Sequence, residues 1–210
     1  MKILVTAGPT REFMDPVRFL TNRSSGKMGY ALAAAAVDRD HDVRLISGPV
    51  AIEVPACVAH IPVESTAEML AAVRAHASWC DVLIMAAAPA DFRPVHRASQ
   101  KLKKATMPPS LELEPTEDIL CQVAGQKRNG QFFVGFAAET QSVMDEARRK
   151  LEAKSLDMIV ANNVTDAGAG FEVDTNRVTV MMPGREPDPW PLMAKRRLAD
   201  LLIQRIEEAI

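Results

Sequence analysis

What this sequence lacks narrows its reading early. Only three of the 210 residues are cysteine (Cys57, Cys80 and Cys121), odd in number and widely spaced. They form neither a disulfide framework nor a zinc-knuckle spacing, and they point to a reducing compartment. Aromatic residues make up only 5%, with a single tyrosine, Tyr30, which has no lysine four residues later. That removes the Tyr/Lys pair of a short-chain dehydrogenase. No apolar run approaches the ~20 residues of a membrane helix, and no signal-peptide pattern opens the chain. An excess of either charge sign is lacking too: the net of −2 argues against nonspecific nucleic-acid binding. The expectation is a soluble cytoplasmic protein with no membrane or nucleic-acid partner. Its length suits one domain, 1–210, long enough to bury roughly two-thirds of its unfolded surface.

What is present is an alternation. Strand-like apolar runs cover Lys2–Thr6, Val43–Ser47, Ala59–Pro62, Val82–Ala86, Phe132–Phe136 and Met158–Ala161. Helical patterns cover Tyr30–Asp38, Ala67–Ala77, Ile119–Lys127, Val143–Ala153 and Leu192–Ala209. Near-continuous apolar strands between helices predict a mostly parallel sheet covered on both faces, an α/β, Rossmann-like doubly wound fold. Two stretches interrupt the alternation. Lys101–Glu114 reads as a flap or β-arm, and Phe171–Pro183 as a small β-hairpin before the last helix.

In such sheets ligands gather beyond the carboxyl ends of the strands. The segments following the strands are small and polar: Ala7-Gly8-Pro9-Thr10, Ala87-Ala88-Pro89-Ala90-Asp91-Phe92, Ala137-Ala138-Glu139-Thr140 and Asn162-Asn163. The loop expected from Ala7 to Gly29 is far longer than a dinucleotide turn, and it closes on Thr21-Asn22-Arg23-Ser24-Ser25-Gly26-Lys27-Met28-Gly29. A glycine-bearing loop feeding a helix N-terminus is a phosphate cradle in outline, the alternative being a helix cap with no ligand. The first turn holds one glycine, and the second strand ends in Ser47-Gly48-Pro49 without the carboxylate that a nicotinamide cofactor's ribose needs. Met28 stands where a P-loop requires Ser or Thr. Asp91 suits ribose hydroxyls or a metal ion, but also a turn. Lys101, Lys103 and Lys104 suit phosphates or a solvated face. Lys150 and Lys154, at i and i+4, share one helix face and suit either an anion or the surface.

The motifs taken together carry a resemblance. Gly8-Pro9-Thr10-Arg11-Glu12, Asp15-Pro16-Val17-Arg18, Asn22 to Gly29, Ala88-Pro89-Ala90-Asp91-Phe92, Lys101-Leu102-Lys103-Lys104, Gly135 to Thr140, Leu156 to Asn162 and Gly170-Phe171-Glu172-Val173-Asp174 appear in order over nearly the whole chain. This pattern resembles the bacterial, CTP-dependent phosphopantothenate–cysteine ligases (phosphopantothenoylcysteine synthetases) of coenzyme A biosynthesis.

The resemblance implies a homodimeric ligase that uses CTP and Mg2+ or a similar divalent cation to join 4′-phosphopantothenate and L-cysteine through an acyl-cytidylate. It implies catalytic roles for Asn22 and Lys101, and phosphopantothenate contacts for Arg18 and Ala88. Nucleotide contacts are implied for Ser24, Ser25, Gly26, Met85, Ala86, Ala87, Asp91, Lys101, Glu117, Asp118, Ile119, Leu120, Phe136, Lys150 and Lys154. Metal ligands are not specified. Many members fuse this domain to a flavin-dependent decarboxylase, so association with one is implied, while no flavin is expected here. The rival readings are an NAD(P)-dependent reductase and a non-catalytic nucleotide-binding protein.

Overall fold

The computed structural model describes residues 1–104, 109–166 and 168–210. Its strands and helices follow in chain order as β1 (Lys2–Ala7), β2 (Arg11–Phe13), β3 (Phe19–Thr21), α1 (Lys27–Val37), β4 (Asp42–Ser47), β5 (Ala59–Pro62), α2 (Thr66–Ala77) and β6 (Val82–Met85). Then come β7 (Phe92–Pro94), β8 (Leu113–Pro115), α3 (Ile119–Ala124), β9 (Phe132–Glu139), α4 (Val143–Ala153), β10 (Met158–Asn163), β11 (Thr175–Met181), β12 (Asp188–Ala194) and α5 (Lys195–Glu207).

The alternating faces of the buried strands build two cores. Ile3, Val5, Val43, Leu45, Val82 and Ile84 face α1 and α5, which contribute Leu32, Ala33, Leu198, Leu202 and Ile206. Leu4, Ile46, Leu83, Phe133 and Ile159 face the other way, toward Met69 and Val73 of α2, Leu120 of α3 and Leu151 of α4. Strands apolar on both faces can only sit between two helical layers. The sheet order is β12-β11-β10-β9-β6-β1-β4-β5. The strands from β5 to β10 are parallel, and β11 and β12 add an antiparallel edge. Counted among the parallel strands alone, this is the 3-2-1-4-5-6 order, with its reversal point between β1 and β6. The doubly wound fold read from the sequence is the observed one. No helix among the described residues is long and apolar enough to cross a membrane.

Several boundaries differ from the expectation. The long loop after β1 is an antiparallel hairpin, with Arg11 opposite Thr21 and Phe13 opposite Phe19. It looks like loop in sequence because Glu12 is charged. Glu12 is nevertheless buried, its carboxylate accepting a hydrogen bond from the Thr66 N–H at the start of α2 (2.8 Å). Helix α1 begins at Lys27 rather than Tyr30, with Gly26 at its N-cap in the left-handed region (φ 79°) where a side chain is strained. The strand expected to end at Phe136 runs on through Ala137, Ala138 and Glu139. The C-terminal hairpin lies later than Phe171–Pro183: β11 pairs with β12, so Leu192 belongs to a strand. Pro189 and Pro191 fit there because β12 is an edge strand whose outer face needs no N–H donors. Within the expected arm Lys101–Glu114, residues 105–108 lie outside the described residues, and Leu113–Pro115 pairs with Phe92–Pro94.

At the top of the sheet the connections after β1, β4 and β6 touch. Ala88 N–H donates to Gly8 O (2.9 Å) and Gly48 N–H to Ala7 O (3.0 Å). A Cβ on Gly48 would stand 1.7 Å from Pro9 O, so only glycine lets these two backbones pass.

Candidate active site

A cleft of about 760 Å³ opens at the reversal point, above the carboxyl ends of β1, β6, β9 and β10. One wall is the segment Asn22–Met28, which ends in the first turn of α1. That turn has no side-chain cap and no acidic residue, so its N–H groups and the positive end of the helix dipole stay available to an anion. A second wall is Met85–Asp91, whose run of alanines brings backbone, not side chains, to the surface of the cleft. Thr116 to Leu120 and Phe136 form the third, with Lys150 and Lys154 behind them. Phe171, Asn176 and Lys195 close the far end.

The wall after β6 is fixed by a buried hydroxyl network. Thr10 and Thr66 hydroxyls share a 2.8 Å hydrogen bond, and Thr10 Oγ1 accepts from Ala90 N–H (2.8 Å). Ala90 O accepts from the hydroxyls of Thr116 (2.6 Å) and Thr66 (3.3 Å). Asn22 joins the first two walls: its Nδ2 donates to Ala88 O (3.0 Å) and Pro89 O (2.8 Å). Buried polar groups so fully paired hold their backbone in one position, which a positioning site requires.

Four lysines border the cleft. Lys150 pairs with Glu139 (2.5 Å) and Lys154 with Asp118 (2.8 Å). Burial works to raise the Asp118 carboxyl, but hydrogen bonding to Lys154 and to the Cys121 N–H prevails and holds it below the ordinary range. Asp118 also caps α3, its Oδ1 accepting from Cys121 N–H (3.1 Å). Lys27 reaches Asp174 (2.6 Å) and Glu172 O (3.0 Å), while Arg23 pairs with Glu172 (2.6 Å). Lys195 is buried, and its ammonium donates to Gly170 O (2.9 Å) and Val173 O (2.6 Å). Desolvation and then the nearby charge of Lys27 lower its pKa, against a partial counter-effect of Asp174.

Of the residues singled out in the sequence, Asn22, Ser24, Ser25, Gly26, Met85, Ala86, Ala87, Ala88, Asp91, Glu117, Asp118, Ile119, Leu120, Phe136, Lys150 and Lys154 all line this one cleft. Arg18 and Lys101 do not. Arg18 is held by Asp15 (2.6 Å) and donates to Leu102 O (2.8 Å), on the turn of the β2–β3 hairpin. Lys101 is exposed at the start of the arm. Sequence reasoning missed Lys195, Thr116 and Asn176. Lys195 left a signal: Lys195-Arg196-Arg197 places three cations in the first turn of α5, against the helix dipole. Among the described residues no group of three or more His, Cys, Asp or Glu side chains is arranged to hold a metal ion.

A family model described as the DNA/pantothenate metabolism flavoprotein C-terminal domain matches residues 1–210. The chain is 48% identical over 205 residues to the coenzyme A biosynthesis bifunctional protein CoaBC of Bacillus subtilis, covering 97% of this chain and 50% of that protein. To the Escherichia coli protein of the same name it is 42% identical over 209 residues, covering 98% of this chain and 51% of the relative. The chain therefore spans about half the length of the curated relatives it matches. Among solved structures it resembles the C-terminal domain of a coenzyme A biosynthesis bifunctional protein CoaBC, with 42% identity and a TM-score of 0.83, covering 99% of this chain and 94% of that one.

Proposed function

The chain belongs to the DNA/pantothenate metabolism flavoprotein C-terminal domain family, and from that premise we propose that residues 1–210 act as a CTP-dependent phosphopantothenate–cysteine ligase. The observation that carries the reading is the cleft itself. A helix N-terminus open to anions and four lysines surround a space walled by alanine backbone. Such a site suits a polyphosphate and an extended acyl chain held side by side.

The β-alanine carboxylate of 4′-phosphopantothenate attacks the α-phosphate of CTP, and pyrophosphate leaves with the β–γ bridge intact. The cysteine amine then attacks the acyl carbon of the acyl-cytidylate, loses a proton, and CMP departs with the electron pair of the acyl–oxygen bond. Both steps gain mainly from positioning and from cations near developing negative charge. Ser24, Ser25, Gly26 and the first N–H groups of α1 take the triphosphate, with Lys101 joining as the acyl-cytidylate forms. Lys150 and Lys154 exchange their carboxylate partners for nucleotide. Asp91 accepts ribose hydroxyls, while Met85 to Ala87, Phe136 and the start of α3 from Glu117 to Leu120 enclose the nucleoside. Arg18 and Ala88 address phosphopantothenate, and Asn22 holds the activated acyl group.

A divalent cation such as magnesium would need no protein cage, since the triphosphate assigned to Ser24, Ser25 and Gly26 would carry it, and it would supply neutralisation of phosphate charge. The same reading includes no flavin in this chain, a cytoplasmic setting, and association with a flavin-dependent decarboxylase.

The active species is a homodimer. Val17, Phe92 and Leu113 are large apolar residues left 55%, 51% and 43% exposed. They sit on the β2–β3 turn and the β7–β8 hairpin, two small ribbons that touch. Exposed apolar residues grouped in this way mark an interaction surface. Phe92→Glu shifts the protein from dimer to monomer in sedimentation equilibrium while the fold, followed by circular dichroism, is retained. A wild-type protein that sediments as a monomer at micromolar concentration contradicts the assignment.

A further inference from the structure

Arg18 and Lys101 both stand outside the cleft, and one buried carboxylate connects them. Asp15 is fully buried, and both of its oxygens are used. Oδ1 accepts from the N–H groups of Val17 and Arg18, each at 2.8 Å, which closes the hairpin turn. Oδ2 accepts from Arg18 Nε (3.0 Å), Arg18 Nη2 (2.6 Å) and the N–H of Leu102 (3.1 Å), the residue next to Lys101. Arg18 completes the ring by donating to Leu102 O (2.8 Å). The same strip is secured on the other side of Lys101, where Ala98 N–H donates to Met14 O (2.9 Å) and the Arg97 guanidinium lies 5.0 Å over the Phe13 ring. Burial works to raise the Asp15 carboxyl, but its bonds to Arg18, Val17 and Leu102 outweigh this and hold it well below the ordinary carboxylate range.

We propose that Asp15 is a positioning residue that locks Arg18 and the backbone beside Lys101 into one unit. The guanidinium assigned to phosphopantothenate and the ammonium assigned to the triphosphate then enter the first half-reaction together. The proposal rests on the ligase reading for the roles of Arg18 and Lys101, but the clamp itself rests only on the hydrogen bonds. The two oxygens divide the labour. One shapes the turn, and the other reaches across 87 residues of sequence to Leu102.

Asp15→Asn separates these functions. With the amide oxygen kept toward Val17 and Arg18, the new Nδ2 faces three N–H donors and cannot accept from any of them. The local turn survives and the long-range link is lost. Hydrogen–deuterium exchange is expected to show the Leu102 amide exchanging about tenfold faster or more in Asp15→Asn, with β1, α1 and α5 unchanged. Single-turnover kinetics are expected to show acyl-cytidylate formation slowed about 100-fold, a raised KM for phosphopantothenate, and an unchanged rate of acyl-cytidylate breakdown by cysteine. Unchanged exchange at Leu102, or equal slowing of both half-reactions, overturns the proposal.

If Asp15→Asn does not fold, Arg18→Gln decides. It leaves the turn bonds of Asp15 in place and is expected to speed Leu102 exchange and slow acyl-cytidylate formation together; slowing without faster exchange contradicts the clamp. Should the wild-type protein form no acyl-cytidylate at all, the ligase reading fails, and the exchange measurement still decides whether Asp15 fastens the arm.

Discussion

Asn22→Asp is expected to let acyl-cytidylate accumulate, whereas Lys101→Gln prevents it from forming. The geometry around Asn22 explains the first half of this result. Its Nδ2 donates to Ala88 O and Pro89 O, which leaves its carbonyl oxygen for the cleft. Aspartate keeps the shape but has no donor, and its charge faces two carbonyl oxygens. The bridge between the two walls opens, and a negative group meets an intermediate that is itself an anion. Losing the bridge that positions the two walls misplaces the reacting groups, and a misplacement of that kind costs about 10² in rate. In the ligase reading other groups hold the triphosphate, so the loss falls on conversion of the intermediate. In the same reading, Lys101→Gln removes the cation assigned to the nucleotide's redistributed charge, and so acts one step earlier. Rapid-quench analysis of both variants with labelled CTP checks the division; the same intermediate level in both contradicts it.

Lys195→Met is expected to lower both stability and nucleotide affinity. The methionine fills most of the aliphatic volume but leaves Gly170 O and Val173 O without their donor. A buried acceptor left unpaired costs about 1–3 kcal/mol, and each kcal/mol lowers Tm by roughly 2–4 °C in a domain of this size. The loop carrying Glu172 and Asp174, which faces Arg23 and Lys27 across the end of the cleft, loses its anchor and KM for CTP rises. The pH dependence carries a distinct sign. Lys195 has a folded pKa below its unfolded value, so the unfolded chain binds more protons between the two. Wild-type stability therefore gains relative to Lys195→Met as pH rises from the folded pKa toward the unfolded value of about 10.5. Thermal melts at pH 8 and pH 10 read this directly, and a gap in Tm that narrows with rising pH contradicts it.

Much of the fold was legible because parallel strands announce themselves. Ile3-Leu4-Val5 and Val82-Leu83-Ile84 are apolar on both faces since helices cover both sides of the sheet. Once the strand order is a doubly wound one, the residues after β1 and β6 must meet, and Asn22, Gly26, Ala88 and Asp91 do line one cleft. The β2–β3 hairpin was not legible. Its strands are three residues long, and Glu12 reads as solvent-facing unless the N-terminus of α2 is known to lie against it. The start of α1 was misplaced because Gly29 looks like loop. It is glycine because the helix presses on β1, where an added Cβ would stand 2.5 Å from Ala7 Cβ. Asp15 lies within a recognisable motif, but its reach to Leu102 is a tertiary contact that no local spacing encodes.

The central claim is tested most directly by measuring pyrophosphate release from CTP while 4′-phosphopantothenate and cysteine are added and withheld in turn. The ligase account predicts a stoichiometric burst of pyrophosphate with phosphopantothenate alone and sustained turnover to CMP only when cysteine is also present. Pyrophosphate release that does not depend on phosphopantothenate, or none with CTP under any combination, contradicts it.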